Sequence, residues 1–233
     1  MVRFRWSALI GLSVMMSVVG ARPALAQKKD PPGPFVIDVR GLFAGYSPTS
    51  VSSAPFGLVK GQMPARGLGA ELGASVYPLR SKHITLGVGA NYLTSRGTKM
   101  PDPLALPNDP TVRERFETYG TQLSLNFGTH DGWSYIGGGI GSSRRAIQTF
   151  QPTHTTNTDG TTTTTESTDP FTAKGARSKT INYGGGARWF ASSHIAFGFD
   201  LRWYAVNPSI ATATVPALPR QTLFVANAGI SIH

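Results

Sequence analysis

The chain has 233 residues, with 22 Lys and Arg against 12 Asp and Glu for a formal net charge of +10, and it contains no cysteine. That length suits one domain of ordinary size, and without cysteine both disulfide stapling and thiol chemistry are excluded. A basic balance alone points to nucleic acid, to anionic lipid or to no particular partner.

The first 26 residues read as a secretory signal peptide. Arg3 and Arg5 make a short basic start, Trp6 to Gly20 is mostly apolar, and Ala24-Leu25-Ala26 fits a small-x-small cleavage site. The apolar run falls short of the roughly 20 residues a helical span needs, which argues against an anchoring helix. Removing Arg3, Arg5 and Arg22 lowers the charge from +10 to +7, still basic. Export also argues against nucleic acid as a partner. Residues 27–34, ending in the run DPPGP, cannot continue a helix or a central strand and read as an extended spacer.

From residue 35 to 233 the apolar period is two, the signature of strands. In the stretch from Phe35 to Tyr46, Phe35, Ile37, Val39 and Phe43 share one face, while Asp38 and Arg40 lie on the other. Leu68, Ala70, Leu72, Ala74 and Val76 oppose Gly69, Glu71, Gly73 and Ser75. Ile84, Leu86, Val88, Ala90 and Tyr92 oppose Thr85, Gly87, Gly89 and Asn91. Tyr119 to Phe127 continues the pattern. Residues 133–143 (WSYIGGGIGSS) are strand-like, but neither face stays apolar after Tyr135, so their facing is left open. Residues 181–190, 194–204 and 222–233 complete a set of eight strands.

The connections after strands 2, 4 and 6 are short, and those after strands 1, 3, 5 and 7 are long. A chain that crosses a membrane up and down eight times, with all its short turns at one end, produces this alternation. The expected fold is therefore all-β: an eight-stranded antiparallel up-and-down transmembrane β-barrel. One face of each strand meets hydrocarbon and the other meets a narrow lumen. Lipid requires every backbone group to be paired, and among sheets only a closed barrel meets that demand.

Two features support this reading. Outward aromatics fall into two rings, with Phe35, Phe127, Trp133 and Trp189 near the short turns. Phe43, Tyr92, Tyr119, Tyr183, Trp203 and Phe224 lie near the long loops. On the inward face, Asp38, Glu71 and Asp200 balance Arg40, Arg188 and Arg202, as expected of a paired network. The preferred reading of that network is a structural plug, and the sharper alternative is a gate or selectivity ring.

The segment from Gly184 to Tyr204, GGGARWFASSHIAFGFDLRWY, resembles the last hairpin of small Gram-negative outer-membrane β-barrels of the OmpA/OmpX type. There a Gly-x-Gly strand and a short turn precede a strand of the form apolar-x-acid-x-Arg-aromatic. The C-terminus is similar to that family's assembly signal, with Asn227, Gly229 and Ile232 at matching positions. The chain stops at His233, one residue short of the family's final outward aromatic. The resemblance implies outer-membrane localisation and insertion by the outer-membrane assembly machinery. No peptidoglycan-binding domain is expected after the barrel.

Catalytic and metal chemistry find little support. His83, His130, His154, His194 and His233 show no metal-site spacing, so neither metal nor cofactor is expected. His194 stands next to Ser192 and Ser193, but no carboxylate is placed by sequence to orient it. Asp102, Asp109, Asp159 and His154 are ordinary loop composition, and no enzymatic activity is expected. The low-complexity run over 153–169 is expected to be a solvated mobile loop.

The long-loop side carries twelve bases against seven acids, the acids including Asp102, Glu117 and Asp169. Arg113, Arg115, Arg144, Arg145, Lys174 and Arg177 are the candidates for contact with the phosphates of lipopolysaccharide, which Arg forks suit. The expectation is a monomeric barrel with a structural, envelope-interacting role. The alternatives are a narrow pore lined by the six lumen charges, a lipid-modifying enzyme, and a secreted barrel holding an apolar ligand.

Overall fold

Strict alternation over long stretches leaves the chain one economical arrangement, and the computed structural model adopts it. The structure describes residues 33–233 except 82, 102–108, 130, 168–169, 212–214 and 216. The expected leader over 1–26, the spacer as far as Pro32, and Asp102, His130 and Asp169 lie outside the described residues. The strands are β1 (Phe35–Gly45), β2 (Arg66–Arg80), β3 (Ile84–Lys99), β4 (Thr111–Thr129), β5 (Gly132–Phe150), β6 (Pro152–Thr156), β7 (Thr162–Glu166), β8 (Phe171–Lys174), β9 (Ser178–Phe190), β10 (Ile195–Val206) and β11 (Gln221–Ile232).

Eight of these are staves of a closed barrel, in the order β4-β3-β2-β1-β11-β10-β9-β5, with β4 paired to β5 to complete the ring. Every pairing is antiparallel, and β1 meets β11 from Ile37↔Ile232 to Gly45↔Phe224. No stave presents a free edge, so backbone polar groups are paired around the whole ring.

Exposure alternates residue by residue along β1 and β10. Phe35, Ile37, Val39, Leu72, Val88, Leu123, Ile140, Phe197 and Ile230 are among a band of large apolar side chains that stand exposed around the outside. A soluble surface does not tolerate an apolar belt of that extent, whereas hydrocarbon demands it. Among the described residues no helix is long and apolar enough to cross a membrane.

Three expectations need correction. Trp133 does not belong to the outer aromatic ring. It is 7% exposed and faces inward, because β5 pairs Ser134 with the outward Phe127. The inner face of β5 is then Trp133, Tyr135, Gly137, Gly139, Gly141 and Ser143, and the outer face is Ile136, Gly138, Ile140 and Ser142. Glycines fill both faces, which is why periodicity alone left the strand's facing open.

Secondly, β4 and β5 run for 19 residues each, about twice the 9–11 that a crossing needs. Arg113, Arg115, Arg144 and Arg145, expected at loop ends, stand on strands that continue past the membrane. Their outward positions are charged because hydrocarbon no longer faces them. Thirdly, the threonine-rich run is a β6–β7 hairpin over 152–166. β-Branched threonine favours extended backbone, and Gly160, at φ +81°, closes the turn. There the Asp159 side chain accepts the Thr161 backbone N–H at 2.9 Å. The Thr161 hydroxyl and that N–H hold the exposed Asp159 carboxyl below the usual aspartate range.

The first long connection folds back over the barrel mouth. Thr49 caps a single helical turn, α1 (Ser50–Ser53), in a reciprocal capping box with Ser52. Two short 3-10 turns follow and set Leu58 and Met63 down on Val112 and Ile147.

Candidate functional site

The lumen is filled in layers. At the short-turn end Val36, Tyr77, Trp133, Phe190 and Ala196 form an apolar floor. Trp133 stacks edge to face on both Tyr77 and Phe190, each with ring centroids 5.0 Å apart. His233 packs edge-on against Phe190 beneath them. Burial there, with the Arg188 and His194 charges nearby, pulls the His233 imidazole below its ordinary pKa.

Above the floor all six charges read from the sequence gather in one layer, as two hydrogen-bonded sets. Arg188 donates from Nη2 to both Asp38 oxygens at 2.7 and 2.9 Å, and from Nη1 to the Tyr77 hydroxyl at 2.7 Å. Arg40 Nη2 lies 3.1 Å from the same Asp38 carboxylate, which also accepts the Ser231 hydroxyl. Arg202 grips Asp200 through Nε and Nη2 at 3.1 and 3.0 Å and donates to Asn182 at 2.7 Å. Glu71 accepts from Asn91 at 3.1 Å and from Asn227 at 2.6 Å. Arg40 Nη1 joins Tyr135 and Asn227 to the set, each at 3.3 Å.

Sequence reasoning found the charges and missed the neutral partners Tyr77, Tyr135, Asn182 and Tyr204. Tyr77 lies at a register shift between Val76 and Leu79, which hides its facing, and Tyr135 lies on the strand whose facing was open. Asn91 and Asn227 were legible from alternation, and the facing of Asn227 shows what it does here: it bridges Arg40 and Glu71. Gly229 lets β11 approach β1, since a Cβ there would meet Val39 O at 2.2 Å. Ile232 points out into the apolar belt, 50% exposed. Gly186 makes room on the lumen side, where a Cβ would meet Phe199 O at 2.0 Å and the Tyr135 hydroxyl at 2.9 Å.

What remains open inside the network is a hollow of about 30 Å³, room for a water or two. Above it Leu42, Tyr46, Leu93, Phe116, Tyr204 and Leu223 form a second apolar layer. The Arg145–Glu114 pair follows at 2.6 Å, with side chains 5% and 0% exposed. Arg145 therefore leaves the set of lipopolysaccharide candidates. Its side chain points into the barrel, where it neutralises Glu114 and donates to Gln221.

The other candidates gather on the outer wall. Pairing places Arg96 beside Arg115 and Glu117 beside Arg144 on one outward face, two to four residues above the Tyr92–Tyr119 pair. Glu117 ties them together: Arg115 and Arg144 each lie 2.8 Å from it and Arg177 lies 3.9 Å away. Arg177 also stands over the Tyr119 ring at 4.7 Å, and Arg113 over Phe150 at 4.2 Å. Lys174 joins from β8 through its pairing with Ala146. A hollow of about 220 Å³ lies among Arg96, Arg113, Arg115, Arg144, Lys174 and Glu117. These five cations thus share one side of the rim.

At the short turns Ser193 Oγ and His194 Nδ1 lie 2.8 Å apart on the surface. Among the described residues no carboxylate lies within ion-pair distance of His194, so nothing holds its ring as a catalytic base would require.

A closed ring of eight antiparallel strands, an apolar belt between aromatic rings and a lumen packed with side chains are the architecture of a small transmembrane β-barrel. Comparison with solved structures agrees. The chain is similar to neisserial surface protein A (TM-score 0.53, 12% identity), covering 87% of this chain and 99% of that one. It is also similar to OprG from Pseudomonas aeruginosa (0.46, 11%; 89% and 98%) and to Ail, the attachment invasion locus protein of Yersinia pestis (0.41, 11%; 84% and 95%). No protein-family description and no curated relative matches the sequence. At these identities the likeness is one of fold: the chain has the fold of the small outer-membrane β-barrels.

Proposed function

We propose that this protein is a non-enzymatic component of the outer membrane of a Gram-negative-type bacterium, exported through its N-terminal signal. In this reading it supports the envelope and contacts lipopolysaccharide through its basic outer rim. The observation that carries the reading is the position of the cations. Arg96, Arg113, Arg115, Arg144 and Lys174 face outward just above the Tyr92–Tyr119 pair, where this reading puts the lipid phosphates. The outer-membrane assembly machinery is its expected folding partner, with Ile232 and the end of β11 as the contact, and the barrel works as a monomer.

The alternative of a narrow pore fits the packing poorly, because apolar layers close the lumen above and below the charge network. The test is lipid retention. Barrels extracted in mild detergent from lipopolysaccharide-containing membranes should carry the glycolipid, and Arg113→Gln/Arg115→Gln/Arg144→Gln should carry several-fold less. Equal amounts on both would sink the reading.

A further inference from the structure

We infer that the hollow between β3, β4, β5 and β8 is a seat for one phosphate group of a glycolipid, which it holds directly and without a bridging divalent cation. This rests on the proposed lipopolysaccharide contact and makes it specific: one site, on one side, for one chemical group.

The charge count comes first. Five cations line the hollow and a single carboxylate, Glu117, faces outward among them. The other acid at its wall, Glu114, is turned into the barrel and neutralised by Arg145. Glu117 is shared by Arg115, Arg144 and Arg177, so it cannot balance any of them fully. Among the described residues no carboxylate pairs with Arg96 or Lys174. An array of this kind repels Mg²⁺ and Ca²⁺, and it presents planar Arg forks that match phosphate oxygens in pairs.

Geometry fixes the chemistry further. The strands rise ~3.3 Å per residue. Glu117 and Arg144 therefore sit about 7 Å along the strand above Tyr119, and Arg115 about 13 Å. With the tilt of barrel strands this spans the headgroup layer and stays below the loop tips. Glu117 acts as a keystone: it holds Arg115 and Arg144 in place and lowers the entropy lost when a phosphate arrives.

Lower on the same outer wall lies a notch of about 410 Å³, lined by Leu86, Leu123, Leu125 and Ile136 beside Gly137 and Gly184. Tyr119 and Thr121, the outward residues of β4 between them, separate notch from hollow. An acyl chain hanging from a phosphate in the hollow would lie along it. A soluble polyanion has no use for such a notch, which is why the headgroup of a lipid is favoured over a free sulfated glycan.

The experiment uses the mature barrel purified in detergent with its retained lipid, counted by native mass spectrometry before and after EDTA. One glycolipid should remain per barrel after divalent ions are stripped. Arg96→Gln/Lys174→Gln should lower that retention about tenfold, the effect of one lost charge-assisted bond. Among the described residues neither Arg96 nor Lys174 is in an ion pair. Arg220→Gln, on the exposed rim just ahead of β11, should leave retention unchanged. Added lipid A should compete, and its fully dephosphorylated form should not.

Loss of all glycolipid on EDTA treatment would overturn the inference while leaving the lipopolysaccharide contact standing, as a contact through divalent bridges. Equal competition by dephosphorylated lipid A, or tighter binding of sucrose octasulfate than of lipid A, would also overturn it. No glycolipid on the barrel before EDTA would remove the proposed function itself.

Discussion

Asp200 is the most consequential acid in the lumen, and Arg202→Leu is the substitution that exposes its dependence. Asp200 is 0% exposed, and among the described residues its hydrogen-bonding partner is Arg202, which holds both oxygens. Removing the guanidinium leaves a carboxylate in a packed interior with no donor, a change that costs about 3–5 kcal/mol where one partner of a buried pair is deleted. Arg188→Leu should cost less, about 2 kcal/mol, because Asp38 keeps Arg40 at 3.1 Å and the Ser231 hydroxyl. Asp200→Leu/Arg202→Leu removes both charges and should recover most of the loss, since apolar replacement of a whole pair is close to neutral. Urea unfolding of the refolded barrel in detergent, followed by tryptophan fluorescence, measures all three. Comparable losses for Arg202→Leu and Arg188→Leu, or a double variant as unstable as the sum of its singles, would refute the assignment of Asp200 to Arg202.

The filled lumen makes the wild-type barrel silent in a planar bilayer, and a steady ion-selective current would contradict it. Gly186→Ala and Gly229→Ala each push a Cβ to within 2.2 Å of a backbone oxygen. Both should block assembly, read as loss of the compact, heat-modifiable band in a semi-native gel. His233 prefers its neutral form in the folded barrel, because burial and the Arg188 charge lower its pKa from 6.5. Its contribution to stability is complete above that value and is lost as pH falls through 6.5 towards the lowered folded pKa, where the unfolded chain binds the extra proton. His233→Phe should flatten that part of the unfolding profile, and an unchanged slope would show that another group carries it. Replacing 152–166 by a short Gly-Ser linker should change stability by less than about 0.5 kcal/mol, because β6 and β7 pair with each other in a sheet separate from the barrel.

How far the sequence could be read follows from which forces act on each face. Against hydrocarbon the demand is uniform, so Ile37, Val39, Leu72, Val88, Phe197 and Ile230 repeat at every second place and betray the strand at once. In the lumen the demand is local. Asp38, Glu71 and Arg202 were placed correctly by alternation, because a charge cannot sit on the lipid face. Their neutral partners carry no such constraint: Tyr135 is chosen by Arg40, across the barrel on a stave far away in sequence, and Asn182 by Arg202 on the neighbouring stave. Trp133 was misplaced for the related reason that an aromatic suits either the outer ring or the inner floor. Only the pairing of Phe127 with Ser134 decides between them.

The rim shows a third regime. Above the aromatic ring neither hydrocarbon nor a packed lumen imposes a period, so Arg113, Glu114, Arg115, Phe116 and Glu117 read as loop composition although they continue β4. Once the strand is extended, alternation returns with a different meaning. Glu114 and Phe116 turn inward to Arg145 and Tyr204, and Arg113, Arg115 and Glu117 turn outward. Neighbouring arginines in sequence, Arg144 and Arg145, thereby take opposite directions: Arg145 turns inward to Glu114 and Arg144 turns outward to Glu117. A count of twelve bases on the long-loop side says nothing of their arrangement, but the pairing of β3, β4, β5 and β8 gathers Arg96, Arg113, Arg115, Arg144 and Lys174 into a single sector. If that concentration matters, moving the charge without changing its amount should abolish the effect. Arg96→Gln/Lys174→Gln combined with two arginines introduced in place of Thr222 and Ala205, on the opposite wall of the barrel, keeps the net charge constant. It should retain glycolipid no better than the double variant alone, whereas a rim that worked by net charge would regain it in full.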